Sequence, residues 1–229
     1  MRLLESIEIF PVILTLAAFQ IGRLCQKKWK SPIFNPTLIG MVLVTLFVAF
    51  SGMAPEDFTS GTKLIFWLMT PATISLAVPM YEQFQLLKKN ALAILAGVVS
   101  GVLTSVTLVL LFSLAFHFSH AEYVTFLPKS VTTAIGMGVS EQLGGNVSIT
   151  VVVIIVTGVL GNILAEPVCR LFSITNPIAR GIGIGSASHA IGTAKAMEMG
   201  QIEGAMSGLS IAVSGILTVA AAAVFGMLY

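Results

Sequence analysis

Six apolar runs, each long enough to cross a bilayer, constrain this chain more than anything else in it. They are Ile7–Leu24, Pro36–Met53, Leu64–Tyr81, Ala91–Phe116, Val147–Phe172 and Glu203–Leu228. A spanning helix needs about 20 mostly apolar residues, because lipid offers no partner to a free amide or carbonyl. Of the 229 residues, 56% are hydrophobic and 10% charged, against roughly 25% charged in a soluble domain. The expected class is an all-α integral membrane protein, with residues 1–229 forming one transmembrane domain. A net charge of +2 gives no reason to expect a nucleic-acid partner. Arg2, Glu5 and Glu8 precede the apolar stretch Ile9–Ile21 and a basic cluster follows it, so the first run reads as a retained span and not a cleaved leader.

Two further segments are too polar and too rich in glycine to be ordinary spans: Leu127–Leu143 and Gly183–Met199. Such residues avoid lipid and line protein or a wet cavity, which makes these segments the candidate functional elements. Lysine and arginine in short loops set orientation. Arg23, Lys27, Lys28 and Lys30 place the first loop in the cytoplasm, and Lys88 and Lys89 place the third there. If Leu127–Leu143 crossed fully, Arg170 and Arg180 would lie outside, against the rule. If it dips in and returns, both are cytoplasmic, and Gly183–Met199 dips in from the opposite face. The second arrangement is favoured. It comprises six transmembrane helices plus two re-entrant or broken helical elements, with both termini outside.

An internal echo supports it. Ala134-Ile-Gly, Leu143-Gly and Val156-Thr-Gly-Val-Leu recur as Ala190-Ile-Gly, Met199-Gly and Val213-Ser-Gly-Ile-Leu, at offsets of 56, 56 and 57 residues. Two units entering from opposite faces would form an inverted repeat, the architecture in which transporters bind solute near the midplane. A weaker echo, Pro71-Ala-Thr73-Ile-Ser75 through Pro79, reads either as a kinked packing helix whose hydroxyls re-satisfy freed backbone groups or as a substrate contact.

In the first polar element, Pro128 suits a helix start. Free amides of Ser130, Val131 and Thr132 would then meet an anion, with Lys129 adding charge and Ser130, Thr132 and Thr133 adding hydroxyls. Lys129 also has the alternative of snorkelling to the interface. The second element offers Ser186, Ser188, His189 and Thr193. His189 reads as a hydrogen-bonded structural residue or a proton sensor. Asn162, deep in the fifth span, is a further cavity candidate. Arg180 reads as an interfacial anchor, and Lys195 and Glu198 as a helical i, i+3 pair. Together the substrate-binding candidates are Lys129, Ser130, Thr132, Thr133, Asn162, Ser186, Ser188, His189 and Thr193. Cys25 and Cys169 stand far apart with no ligand spacing, so no metal or cofactor is expected. No nucleophile elbow, dinucleotide fingerprint or paired-carboxylate site is present, and the chain is not expected to be an enzyme.

Three strings, Leu127-Pro-Lys-Ser-Val-Thr-Thr-Ala-Ile, Pro177-Ile-Ala-Arg-Gly with Gly185-Ser-Ala-Ser-His-Ala-Ile-Gly-Thr-Ala, and Thr70-Pro-Ala-Thr-Ile-Ser-Leu-Ala-Val-Pro-Met-Tyr, closely resemble the LrgB/CidB family. Glu198-Met-Gly and Glu203-Gly-Ala fit the same pattern, and the family's commoner proline after the two threonines is Ala134 here. The resemblance implies a bacterial inner (plasma) membrane protein and a smaller LrgA/CidA-like, holin-like membrane partner. It further implies either transport of a small carboxylate of the pyruvate or glycolate kind, or a non-transporting role in murein hydrolase export and programmed lysis. A homo-oligomer is compatible with either.

Overall fold

The computed structural model describes residues 9–29, 34–75 and 77–229. The expectations for Arg2, Glu5, Glu8 and Lys30, and for the side chain of Thr73, fall outside those residues. The described chain is helical and forms two compact units, 1–75 and 76–229. Among the described residues, four stretches are long and apolar enough to cross a bilayer: Lys63–Glu82, Ala91–Phe116, Val147–Leu171 and Gln201–Phe225.

The first unit holds α1 (Phe10–Trp29), α2 (Pro36–Ser51), α3 (Pro55–Gly61) and α4 (Lys63–Ser75). Asn35 caps α2 by accepting from the Thr37 and Leu38 amides, which removes two orphan donors of the helix start. Helices α1 and α2 run antiparallel in close contact. A Cβ on Gly22 would lie 2.7 Å from the Pro36 backbone, and one on Gly40 would lie 3.5 Å from Phe19. Pro71 lies inside α4, and the Ser75 hydroxyl donates to the Ala72 carbonyl at 2.6 Å.

The second unit holds α5 (Ala77–Glu82), α6 (Phe84–Lys89), α7 (Ala91–Phe116), α8 (His120–Phe126), α9 (Thr133–Leu143), α10 (Val147–Leu171), α11 (Pro177–Met199) and α12 (Gln201–Phe225). Its core runs along α7, where Ile94, Val98, Val102, Val106 and Val109 are buried at helical spacing. Met206 and Ile182 pack against the first half of that stripe, Tyr123, Leu127 and Ala222 against the second.

Helices α8 and α9 form a hairpin. Its open end lies with the C-terminal ends of α7 and α12. The Tyr123 hydroxyl donates to the Phe225 carbonyl at 2.9 Å, and Leu143 packs beside Gly226. Ser119 and Glu122 form a capping box that starts α8. At the same end the Asn146 amide donates to the Thr125 hydroxyl at 2.8 Å, and Thr150 bonds both Ser140 and the Thr125 carbonyl. The tip reaches half the height of α7, where the Ser130 and Ser105 hydroxyls meet at 3.1 Å. Ser105 is 11 residues before the end of α7, roughly 16 Å at 1.5 Å per residue.

Helix α11 is also a hairpin, broken at Ser188 (φ −134°, ψ 17°) and His189 (φ 42°, ψ −141°). A Cβ on Gly192 would lie 3.1 Å from Ile184. In a straight helix those residues would be about 12 Å apart along the axis. Ile184 and Ala196, one on each limb, also share a cluster with Ala165 of α10. Asn176 caps the entering limb, accepting from the Ile178 and Ala179 amides. Gly200 turns the chain into α12, and Gly204 then meets Met197 of the returning limb at Cβ distance 2.8 Å. The open end of this hairpin therefore lies at the C-terminal end of α10, opposite the open end of the first.

Candidate functional site

The two hairpin tips converge on the middle of α10. The His189 ring donates from Nε2 to the Ile154 carbonyl at 3.0 Å. A carbonyl only accepts, so this nitrogen carries the proton. Glycine at 158 makes room for the ring, since a Cβ there would lie 2.8 Å from it. On the other side, the Ile154 side chain packs against Gly136 in the first turn of α9. One residue of α10 thus joins the tip of the second hairpin to the start of the returning limb of the first.

Each returning limb begins at its tip. Thr132 (φ −66°, ψ 151°) precedes α9, and the second limb of α11 begins after His189. Both helix N-termini therefore lie at mid-height, where unpaired amides and the helix dipole favour an anion. The side chain of Thr132 makes no cap hydrogen bond, so it does not cover the α9 amides. Half-buried Lys129 adds a cation to that tip. Its ammonium donates to the Ser130 hydroxyl at 3.0 Å, and among the described residues no carboxylate lies within ion-pair distance. Through Ser130 the head group is linked to mid-height Ser105.

The structure corrects where α9 starts. The sequence places the helix start at Pro128; it lies at Thr133. Pro128 belongs to the turn after α8, and the Lys129 and Val131 amides bond back to Phe126 and Pro128. The amides available at the helix start are consequently those of Thr133, Ala134 and Ile135, and not those of Ser130, Val131 and Thr132. The polar elements are also longer than the sequence marks. The first includes α8, which lies before Leu127, and the second starts at Pro177 and not at Gly183.

The second tip differs from the first in how its hydroxyls are used. Ser186 donates to the Ile182 carbonyl at 2.7 Å and Ser188 to Ile184 at 2.8 Å, both within the entering limb. Thr193 donates to the His189 carbonyl at 2.9 Å and meets Ser207 of α12 at 2.7 Å. Asn162 donates from Nδ2 to the Ile191 carbonyl at 2.7 Å, tying the returning limb to α10. These side chains tie the break to its own limbs, to α10 and to α12. The backbone at His189 sits in a sparsely populated region for a non-glycine residue, a conformation that costs on the order of 1–3 kcal/mol. Its ring and carbonyl bonds offset that cost. Ser105, Ile154, Gly158, Gly161 and Ser207 are the site's unanticipated residues. Only the two glycines at 158 and 161 carry a sequence signal, as small residues one turn apart on a span facing Ser188 and His189.

Comparison with known proteins gives the chain its place. The model of the LrgB-like family matches residues 15–228. The chain belongs to the LrgB-like family. Antiholin-like protein LrgB of Bacillus subtilis (strain 168) is 36% identical to it over 217 residues, covering 94% of each chain. Proteins of the same name in Bacillus mycoides (strain KBAB4) and Bacillus cereus (strain B4264) are 35% identical over 211 residues, 92% of each chain. No solved structure matches this LrgB-like chain. Membership also makes it a multi-pass membrane protein, in agreement with its long apolar helices.

Proposed function

We propose that this LrgB-like chain is a membrane component of an antiholin-like system, acting with a smaller LrgA/CidA-like membrane protein in controlling murein hydrolase release. The observation that carries this reading is the match to proteins of that name over almost the whole of both chains. Deleting the gene, alone and together with that of the partner, is expected to raise extracellular murein hydrolase activity and speed autolysis. Unchanged lysis in both deletions would defeat it.

A second reading is favoured by the geometry. Two helix N-termini lie at mid-height on either side of Ile154, and Lys129, which has no acid partner among the described residues, sits at the first of them, an arrangement suited to a small carboxylate. In this reading six spans and two re-entrant hairpins form an inverted repeat in the bacterial inner membrane, both termini outside. The chain, as a monomer or a homo-oligomer, carries an acid of the pyruvate or glycolate kind. The two readings are compatible if altered metabolite flux causes the lysis phenotype. Uptake of labelled pyruvate and glycolate into proteoliposomes, with and without the LrgA-like protein, tests it; no uptake in either preparation would sink it.

The orientation has its own test. Ser173 is exposed in the connection between α10 and α11. In a Cys25→Ala, Cys169→Ala background, Ser173→Cys is expected to react with an impermeant thiol reagent from the cytoplasmic side only. Labelling from outside would replace the hairpins with full crossings.

A further inference from the structure

A second charged cavity lies away from the tips, at the open end of the α11 hairpin. It has a volume of about 540 Å³ and is lined by Arg170, Arg180 and Lys195 against Glu166 and Glu198. Bases outnumber acids there, and the cations come from α10 and from both limbs of the hairpin. Glu166 already shows how such a cavity holds a carboxylate. Its Oε1 lies 3.1 Å from Arg170 and its Oε2 lies 3.3 Å from Lys195, one cation per oxygen.

The two less exposed cations have capacity beyond these pairs. Lys195 is 20% exposed and also meets Glu198 at 3.3 Å. Arg180 is 29% exposed. It donates from Nε to the Ile174 carbonyl at 2.6 Å and keeps only a long 3.8 Å ion pair with Glu203. A guanidinium has five N–H donors, and the others of Arg180 find no hydrogen-bond partner among the described residues. Glu166 is 48% exposed and free to turn outward. We propose that this cavity is a second site for a small carboxylate, bound by Lys195 and Arg180, with Glu166 as a tethered competitor occupying it in the absence of solute. The choice of a carboxylate as occupant rests on the transport reading; the charge arrangement does not.

The test is isothermal titration of glycolate into the purified full-length protein. Glu166→Gln removes the competitor's charge and leaves the cations, and is expected to tighten glycolate binding about fivefold, the scale of an exposed ion pair. Adding Lys195→Met to that variant is expected to abolish the gain. Chloride in the buffer is expected to weaken the tightened binding. An unchanged affinity in E166Q, a gain that survives K195M, or no glycolate binding by E166Q would each overturn the proposal. Lys129→Met separates it from the site at the tips. A gain that persists in the K129M background supports the cavity even if the tips bind nothing. Binding abolished by K129M and indifferent to E166Q leaves the tips as the site and removes the cavity.

Discussion

Replacing Lys129 by methionine is expected to weaken binding of a small carboxylate by at least tenfold. Replacing Lys88 by methionine is expected to leave it unchanged. Both changes remove one positive charge, so net charge cannot account for a difference. What differs is placement. Lys88 lies in the last turn of short α6, whereas Lys129 sits at the first hairpin tip, donating to Ser130, with no acid in ion-pair reach among the described residues. A hydrogen bond to a charged group is worth about 1.5–3 kcal/mol, and each 1.4 kcal/mol is roughly tenfold in affinity. Thr133→Val, at the first position of α9, is expected to fall in the same range if its hydroxyl meets the solute. Ser188→Ala is a weaker probe of binding, because that hydroxyl already serves the Ile184 carbonyl. Equal glycolate affinity in K129M, T133V and the parent protein would show that the tips are not the site.

The largest effect on stability is expected at Gly185. The entering limb of α11 lies with its backbone against α12. A Cβ on Gly181 would meet the Glu203 carbonyl at 2.5 Å, and one on Gly185 would meet the Ser207 Cα at 2.8 Å. These neighbours are main-chain atoms and cannot rotate away. Overpacking of this kind costs about 1–3 kcal/mol, equivalent to roughly 2–12 °C in melting temperature for a chain of this size. Gly185→Ala is therefore expected to melt several degrees below the parent in detergent. Gly183→Ala is the matched control, since nothing lies within 4 Å of its Cβ position. Equal melting temperatures for the two variants would mean that the limb does not sit against α12 as described.

Much of this arrangement was legible in the residues. The polar segments marked both hairpins, and the positions of Arg170 and Arg180 led to the doubling-back that the contacts of Ile184 with Ala196 and Gly192 display. The start of α9 was not legible, because proline's preference for a first turn is local. The actual start is set by the extended backbone at Thr132 and by how closely Gly136 approaches Ile154. The role of the second-tip hydroxyls was also hidden. A sequence counts donors, but only the fold shows that Ser186, Ser188 and Thr193 already donate to carbonyls of their own helix pair. Ser105 was invisible for another reason: a single serine among valines and leucines reads as filler until its partner 25 residues away is known. Arg180, expected as an interfacial anchor, donates to the Ile174 carbonyl and lines a cavity shared with Lys195, a role the sequence did not suggest.

The joints of the second unit are very short. Residues 117–119 link α7 to α8, 144–146 link α9 to α10, 172–176 link α10 to α11, and Gly200 alone joins α11 to α12. Little chain is left over on these joints for a water-soluble binder to grip, so antibody fragments raised to steady the protein for imaging will find few footholds there. The same economy bears on any protein that associates with this unit. Recognition has to be written on the flanks of the helices, side-on and within the plane of the lipid, where shape and small-residue notches discriminate and charge does little. A genetic search for variants that lose such an associate should therefore return substitutions along outward-facing helix stripes, and few in the connecting turns.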